Sequence, residues 1–228
     1  EERLLGVSLT GIMDHEVLSG SRQKEVGTKE DVPIVELWLL QLRDYAEQTN
    51  KEWADRLGIQ PSASITCVKP SGTVSQLVDS ASGIHARHNP YYIRRIRMDK
   101  KDPIYQFLKD SGIPVEDEVF HPDSTAVFSF PMKAPDGAVC RNDKTALEQL
   151  ELWLIYQRHW CHHKPSVTIS VKDGEWPEVG AWVWKHFDEV SGISFLPFSN
   201  HSYQQAPYED LTEEKYKELL ANTPTDID

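Results

Sequence analysis

A segment near residue 70 has the residue types that hold a phosphate group. It reads Ile65-Thr-Cys-Val-Lys-Pro-Ser-Gly-Thr-Val-Ser75, a β-branched run followed by a turn of small residues. Pro70 restricts Lys69 to an extended conformation, so a strand is predicted to end there. A helix would then begin, and the unpaired N–H groups at a helix start favour an anion. The residues predicted to bind phosphate are Ser71, Gly72, Thr73 and Ser75.

The same turn is open to a second interpretation. Small hydroxylated residues also cap helices without binding any ligand. The spacing of glycines and the following lysine differ from those of a Walker loop, so that nucleotide-binding class is excluded. The composition of the turn alone leaves phosphate binding and simple capping both open.

Two further groups of side chains have residue types that could bind a metal ion or react. His159-Trp-Cys-His-His163 clusters three imidazoles and a thiol, and His159 has helical spacing to His162 or His163. No second pair of ligands stands out, so a helix terminus that favours cations is preferred and no metal is predicted. Cys140 lies in a Gly-Ala-Val-Cys-Arg-Asn turn without a nearby cysteine, which favours a structural residue over a reactive thiol.

A basic segment follows the turn and admits several interpretations. Tyr91 and Tyr92 interleave with it, as on surfaces that bind single-stranded nucleic acid. Alternatively, its arginines pair with the many carboxylates of this chain. The basic residues are Arg87, Arg94, Arg95, Arg97, Lys100 and Lys101.

Composition narrows the classes of function. Lys and Arg number 24 against 36 Asp and Glu, a formal net charge of −12 with a pI near 5.2. This balance argues against general nucleic-acid binding. No apolar run approaches membrane-spanning length and no signal segment begins the chain, so no membrane partner is expected. The three cysteines are widely spaced, which predicts a reducing, cytoplasmic location and an accidental sequon at Asn200.

Strands and helices alternate along the chain. Apolar spacing predicts helices over 4–17, 34–57, 103–110, 146–160 and 177–187, and a short one ending near Asp79. Strands are predicted over 64–68, 125–130 (closed by Pro131), 166–171 and 193–198. Asp31 and Gly58 are the expected start and stop signals of the second helix, and Asp210 with Glu213 is a predicted capping box. The pattern indicates an α/β fold with crossover connections and one or two domains.

The longest motif runs from the turn into the basic segment. It reads Val68-Lys-Pro-Ser-Gly-Thr-Val-Ser-Gln-Leu-Val-Asp-Ser-Ala-Ser-Gly-Ile-His-Ala-Arg-His-Asn-Pro-Tyr-Tyr-Ile-Arg-Arg-Ile-Arg97. It closely resembles the adenosylcobalamin-dependent (class II) ribonucleotide reductases, of the monomeric type that reduces ribonucleoside triphosphates. Three more segments resemble that family in the same order: Arg3-Leu-Leu-Gly-Val-Ser-Leu-Thr-Gly-Ile-Met-Asp14, Pro165-Ser-Val-Thr-Ile-Ser-Val171 and Gly192-Ile-Ser-Phe-Leu-Pro-Phe198.

The resemblance implies a fold and a position within it. Residues 1–228 would form the C-terminal portion of a ten-stranded α/β barrel, an incomplete part of one catalytic domain. A slice of a barrel leaves open sheet edges and apolar helix faces, so self-association is possible.

The resemblance also implies a chemistry for the parent enzyme. Adenosylcobalamin would initiate a radical, the ribose 2′-hydroxyl would be replaced by hydrogen, and a thioredoxin-type protein would supply electrons. The turn at Ser71–Ser75 would hold the substrate phosphates, with His85 and Asn89 pointing toward the nucleotide or cofactor. Phe195 and Phe198 would align with a strand that carries radical-transfer tyrosines in the oxygen-dependent class, and their lack of hydroxyls favours the cobalamin class.

The thiols of that chemistry are missing from the sequence. No Cys-x-Glu motif occurs, and no cysteine pair lies near the end of the chain. No catalytic residue is therefore assigned, and the isolated chain is expected to be inactive. Whether diphosphates or triphosphates are reduced, and which effector is used, stay open.

Two alternatives remain. The first is a non-catalytic split subunit that completes a reductase barrel by binding another chain. The second is an unrelated phosphate-binding α/β enzyme, whose catalytic base would come from residues such as Asp79, His85 and His88.

Overall fold

The computed structural model describes residues 3–22, 33–198 and 203–224. The Asp31 and Asn200 predictions lie outside these residues. In chain order the elements are β1 (Leu4–Ser8), α1 (Ile34–Leu57), β2 (Ser64–Cys67), α2 (Val74–Leu77), β3 (Tyr91–Asp99), α3 (Pro103–Asp110), β4 (Val115–Asp117), β5 (Thr125–Lys133), α4 (Ala146–His159), β6 (Thr168–Val171), α5 (Trp176–Lys185), β7 (Ser194–Pro197), β8 (Tyr208–Asp210) and α6 (Glu213–Ala221). No helix among the described residues has the length and apolar character needed to cross a membrane.

The backbone divides into two compact units. The first comprises Glu1–Arg87 with Gly137–Ser199, and the second comprises His88–Asp136 with Asn200–Asp228. In the first unit β1 pairs in parallel with β2, and β6 pairs in parallel with β7. Parallel pairs need crossover connections, so this unit confirms the predicted α/β class.

Helix α4 lies at the centre of the first unit. Leu150, Trp153 and Tyr156 are fully buried within its hydrophobic core. The Trp153 indole N–H donates to the Pro165 carbonyl at 2.9 Å, and the Tyr156 hydroxyl donates to the Leu18 carbonyl at 2.9 Å. Each large aromatic side chain therefore buries its apolar body and still satisfies its polar group. The helix begins at a capping box formed by Thr145 and Glu148.

Helix α1 confirms its predicted bounds. It ends before Gly58, which has φ 65° and donates its N–H to carbonyls of the last turn. Glycine adopts this left-handed conformation without a Cβ penalty, so the stop signal acts as expected.

The predicted helix over residues 4–17 is wrong. Leu4–Ser8 is a strand, and Ile12–Asp14 forms a short 3₁₀ turn after Gly11, which has φ 70°. The apolar residues of this segment were assigned to a helical stripe, whereas pairing with β2 holds them extended. All five residues of β1 are exposed, so tertiary pairing and not local burial determines its conformation.

The second unit is built on an antiparallel sheet in the order β4-β5-β3-β8. Strand β5 continues through Pro131, which was predicted to close it. At Pro131 β5 is an edge strand among the described residues, since β4 pairs with residues 126–128, and proline is tolerated on an edge. Helix α3 confirms its predicted bounds, and the Asp102 carboxylate accepts a hydrogen bond from the Ile104 N–H at its start.

The predicted capping box of the last helix is wrong. Thr212 caps α6 by accepting from the Lys215 N–H, whereas Asp210 ends β8 and its carboxylate lies 2.9 Å from His88 Nε2. The described strands form three separate sheets. Membership in a ten-stranded barrel therefore stays a prediction.

The buried position of α4 gives a stability prediction. Leu150→Ala should lower the free energy of unfolding by about 2–5 kcal/mol, because it leaves a cavity in the core. Leu57→Ala is the matched control, since Leu57 is also helical but 65% exposed; its effect should stay within about 0.5 kcal/mol. Urea denaturation followed by tryptophan fluorescence measures both, and equal effects would contradict the assignment of α4 as the core helix.

Candidate functional site

The turn after β2 is stabilised by hydrogen bonds from two serine hydroxyls to its carbonyls. Ser75 is buried and its hydroxyl donates to the Ser71 carbonyl, while the Ser82 hydroxyl donates to the Pro70 carbonyl. Ser82 also lies 3.1 Å from the Ser71 carbonyl. The carbonyls of this turn are therefore engaged on its inner side. Ser71 itself has φ 44°, an unusual conformation for a residue with a side chain.

The outer side of the turn presents hydrogen-bond donors. Gly72, Thr73 and Val74 are exposed, and no hydrogen bond to a described residue takes up their N–H groups. A Cβ added at Gly72 would meet no protein atom within 4 Å, so the fold itself does not require glycine there. Helix α2 has only four residues. Anion binding here would rest on the N–H groups of the turn rather than on a helix dipole.

Ser75 differs from its predicted role. Its hydroxyl is used within the turn and its side chain has no exposed surface. The outward groups are those of Ser71, Gly72 and Thr73, so Ser75 acts as a brace.

The segment around Thr10 binds the segment from Ala81 to Gly83, which approaches the start of the turn. The Thr10 hydroxyl donates to the Ala81 carbonyl at 3.0 Å and accepts from the Gly83 N–H at 3.0 Å. Gly83 has φ 57°, and a Cβ there would collide with the Lys69 carbonyl oxygen. Glycine is therefore required at this position, where two backbones approach closely.

A buried ion pair joins Arg87 to Asp14, and Arg87 also binds Asp79. The Arg87 guanidinium donates to both Asp14 carboxylate oxygens at 2.9 and 2.8 Å and to Asp79 Oδ1 at 3.1 Å. Asp14 Oδ2 also accepts from the Ala81 N–H at 2.6 Å. This geometry is the bidentate arrangement in which arginine binds carboxylates most strongly. Sequence reasoning did not find this pair. Asp14 and Arg87 lie in two separate motifs, and no local pattern indicates that they meet.

His85 is held by backbone groups at both ring nitrogens. Nδ1 lies 3.0 Å from the Ser82 carbonyl, and Nε2 accepts from the Thr168 N–H at 3.1 Å. A carbonyl requires a donor and an N–H requires an acceptor, so these contacts select the neutral tautomer with the proton on Nδ1. His85 therefore connects the Ser82 carbonyl to strand β6.

The other residues predicted near substrate or cofactor are dispersed. Phe195 packs half-buried against the core of the first unit. Phe198 donates its N–H to the Val171 carbonyl at 2.7 Å, and the Arg141 guanidinium carbon lies 5.5 Å from its ring centroid. Asn89 belongs to the second unit, where its amide donates to the Tyr91 carbonyl at 3.0 Å.

The three imidazoles near the end of α4 diverge. His159 lies 3.5 Å from Glu36, His162 lies 2.9 Å from Glu47, and His163 contacts the Leu5 carbonyl at 2.9 Å. Within the described ranges, no three His, Cys, Asp or Glu side chains are placed to hold a metal ion.

The basic segment pairs with carboxylates. In the first unit Arg87 binds Asp14 and Asp79, as described above. In the second unit the ion pairs are Arg95 with Glu209, Arg97 with Glu118, and Lys100 with Asp117. The interpretation that these side chains satisfy acidic groups of the chain itself is confirmed for them.

All three cysteines are buried and free. Burial raises the pKa of the Cys140 thiol to about 11, with a further contribution from the nearby Asp143 carboxylate. Burial also raises the pKa of the Cys161 thiol to about 12. Since the thiolate is the reactive form, neither thiol is activated at neutral pH, in agreement with a structural role for Cys140.

The Arg87 ion pair gives a second stability prediction. Arg87→Ala should lower the free energy of unfolding by about 3–5 kcal/mol, because it leaves Asp14 buried without its charge partner. Arg22→Ala is the control, since Arg22 pairs with Glu16 on the surface with side chains 45% and 65% exposed; its effect should stay below about 1 kcal/mol. Chemical denaturation measures the free energy of unfolding of both variants. A loss in Arg87→Ala as small as that in Arg22→Ala would refute the assignment of Arg87 as a stabilising buried ion pair.

Comparisons with known proteins identify relatives of this chain. No family model matches the chain. The adenosylcobalamin-dependent ribonucleoside-triphosphate reductase of Euglena gracilis is 33% identical over 192 residues, covering 83% of this chain and 26% of the relative. The enzyme of the same name from Lactobacillus gasseri is 28% identical over 235 residues, covering 95% of this chain and 32% of the relative.

A solved structure agrees with the sequence relatives. The crystal structure of a B12-dependent (class II) ribonucleotide reductase matches with a TM-score of 0.85 and 25% identity, covering 99% of this chain and 34% of that one. The chain spans about a third of the length of the proteins it matches. In sequence and in fold, the chain is a homologue of the adenosylcobalamin-dependent ribonucleoside-triphosphate reductases.

Proposed function

We propose that the chain is the C-terminal portion of the catalytic barrel of a ribonucleoside-triphosphate reductase. The parent enzyme would replace the ribose 2′-hydroxyl by hydrogen through radical chemistry. The relatives named for this activity, and the structural match over nearly the whole chain, support the proposal. The single observation that carries it is the turn at Ser71–Thr73, whose N–H groups face outward in a homologue of nucleotide-reducing enzymes.

This turn would bind the substrate phosphates. The Ser71 and Pro70 carbonyls are held by the Ser75 and Ser82 hydroxyls, and the Gly72 and Thr73 N–H groups make no hydrogen bond to a described residue. Donors of this kind, fixed before the ligand arrives, bind an anion without reorganisation. The open space at Gly72 would let a phosphate oxygen approach the backbone closely.

The described residues do not fit a whole cobalamin. The cavity beside His85 has a volume of about 190 Å³. A second cavity, lined by residues that include Glu47, Asn50 and His162, has a volume of about 380 Å³. Both volumes lie at or below the lower end of the roughly 300–1,000 Å³ range of sites for drug-sized ligands, and a corrin ring is larger than such ligands. Adenosylcobalamin would supply the radical when bound to the complete enzyme. We assign no step of that chemistry to the residues of this chain.

The thiols of the chain do not supply the redox chemistry. Cys67, Cys140 and Cys161 are buried, so a thioredoxin-type reductant has no accessible dithiol among the described residues. The hydrogen-atom acceptor and the electron source would lie in other parts of the parent enzyme.

One alternative has structural support. A split subunit that completes a barrel would need an open edge, and every residue of β1 is exposed, with Leu4 58% and Leu5 46% accessible. Such an edge also favours self-association. An unrelated phosphate-binding enzyme is less well supported because its candidate bases are engaged: His85 by backbone, Asp79 by Arg87 and His88 by Asp210.

The absent thiols give an activity prediction. The chain supplied with adenosylcobalamin, dithiothreitol and a ribonucleoside triphosphate should form no deoxynucleotide, because it lacks both the radical cysteine and an accessible reducing pair. Chromatographic detection of product, with a complete class II enzyme as positive control, measures this. Turnover above a control without protein would show that the required groups are present after all.

The turn gives a binding prediction in the complete enzyme that carries this chain. Gly72→Val should raise KM at least about tenfold with a smaller change in kcat, because a phosphate contact acts in ground and transition states alike. Thr73→Val should weaken binding by about 1.5–3 kcal/mol if its hydroxyl contacts the phosphate.

Gly174→Val is the matched control for the first variant. A Cβ at Gly174 also meets no protein atom within 4 Å, but Gly174 lies in a different turn. Steady-state kinetics on the three variants should separate them. Unchanged KM in both Gly72→Val and Thr73→Val would refute the phosphate assignment.

A further inference from the structure

A cavity of about 190 Å³ lies within the first unit, beside strand β6. Its volume exceeds the space of a single water molecule and suits a small ligand. None of the outward residues of the turn at Ser71–Thr73 lines it. The lining residues are Met13, Ile84, His85, Ala86, Cys140, Arg141, Lys144, Gln149, Val167, Thr168 and Ser170.

The charged lining of this cavity is entirely cationic. Arg141 and Lys144 line it, and no carboxylate does so among the described residues, although the chain carries a net charge of −12. The two nearest carboxylates in sequence lie beside lining residues, and each is bound by a backbone N–H group. Asp143 accepts from the Cys140 N–H at 2.8 Å, and Glu148 accepts from the Thr145 N–H at 2.7 Å.

The Lys144 ammonium makes no ion pair or hydrogen bond with any described residue, although the residue is half-buried. The side-chain hydroxyls of Thr168 and Ser170 likewise make no hydrogen bond to described residues. By contrast, the other polar groups of the wall are engaged. His85 accepts from the Thr168 N–H, and the Gln149 amide contacts the backbone of Ser170 at 3.3 and 3.4 Å.

Arg141 is held in position by an aromatic ring. Its guanidinium carbon lies 5.5 Å from the centroid of Phe198, within the range of a cation–π contact. The backbone of Arg141 is fixed as well, since its N–H donates to the Arg87 carbonyl at 2.9 Å. The cation is therefore placed before any ligand arrives.

We propose that this cavity binds a small oxyanion of the phosphate or carboxylate class, with Lys144 as its charge partner. The hydroxyls of Thr168 and Ser170 supply further donors on the β6 side. Neutral His85 and the neutral Cys140 thiol add no opposing charge. The site is independent of the phosphate turn and of the proposed reductase activity.

The test is a nuclear magnetic resonance titration of the isotope-labelled chain with inorganic phosphate, and in a second arm with acetate. We expect saturable amide shifts at Ile84–Ala86, at Arg141 and at Lys144. Shifts at Ser71–Thr73 report the phosphate turn separately, so failure at one site is distinguishable from failure at the other. Binding of phosphate alone or of acetate alone identifies which class of oxyanion the cavity accepts.

Three variants make the test specific. Lys144→Gln should raise the dissociation constant at the cavity at least about tenfold, since it removes a charge-assisted contact. Lys144→Arg keeps the charge and should retain binding. Lys51→Gln removes a charge from an exposed lysine of the same unit and should leave the constant unchanged.

Circular dichroism establishes that each variant is folded before its binding is compared. The absence of saturable shifts at the cavity with both anions would overturn the proposal. Equal dissociation constants in Lys144→Gln and the unmodified chain would overturn it as well.

Discussion

The first unit depends on one buried charge. The Arg87 side chain is 5% exposed and can remain buried only because the Asp14 and Asp79 carboxylates balance its charge and accept its hydrogen bonds. Its backbone is engaged too, since its N–H donates to the Val139 carbonyl and its carbonyl accepts from the Arg141 N–H. Arg87 therefore holds together the segments of Asp14 and Asp79 and the segment that carries Cys140 and Arg141. The positions of the turn and of the cationic cavity are set by the same interaction.

Local signals determined which elements sequence reasoning could predict. Helices α1, α3 and α4 have caps, stop signals and apolar faces within their own residues, and their predicted bounds agree with the structure to within one residue. Strand β1 lacks such signals. Its conformation results from pairing with β2, which lies about sixty residues away in the chain. The antiparallel sheet of the second unit depends in the same way on β3 meeting β5 and β8.

In the candidate site, too, features with a local sequence signal could be predicted and features set by distant contacts could not. The residue types of the turn indicated a place with unpaired donors, and the Gly72 and Thr73 N–H groups make no hydrogen bond to a described residue. Phosphate binding by these groups stays a prediction. The inward role of Ser75 could not be read from composition, because a hydroxyl suits a ligand and a backbone carbonyl equally well. The Asp14–Arg87 pair spans 73 residues, and no local pattern links the two.

The hydrogen bonds that engage the carbonyls of the turn at Ser71–Thr73 have a consequence for metal-bound nucleotides at the proposed phosphate site. The Pro70 and Ser71 carbonyls accept hydrogen bonds from the Ser82 and Ser75 hydroxyls, so both oxygens are already engaged within the chain. Divalent cations such as Mg²⁺ require oxygen ligands. A nucleotide carrying Mg²⁺ would therefore meet this turn through its phosphate oxygens, with the cation on the far side of the phosphate.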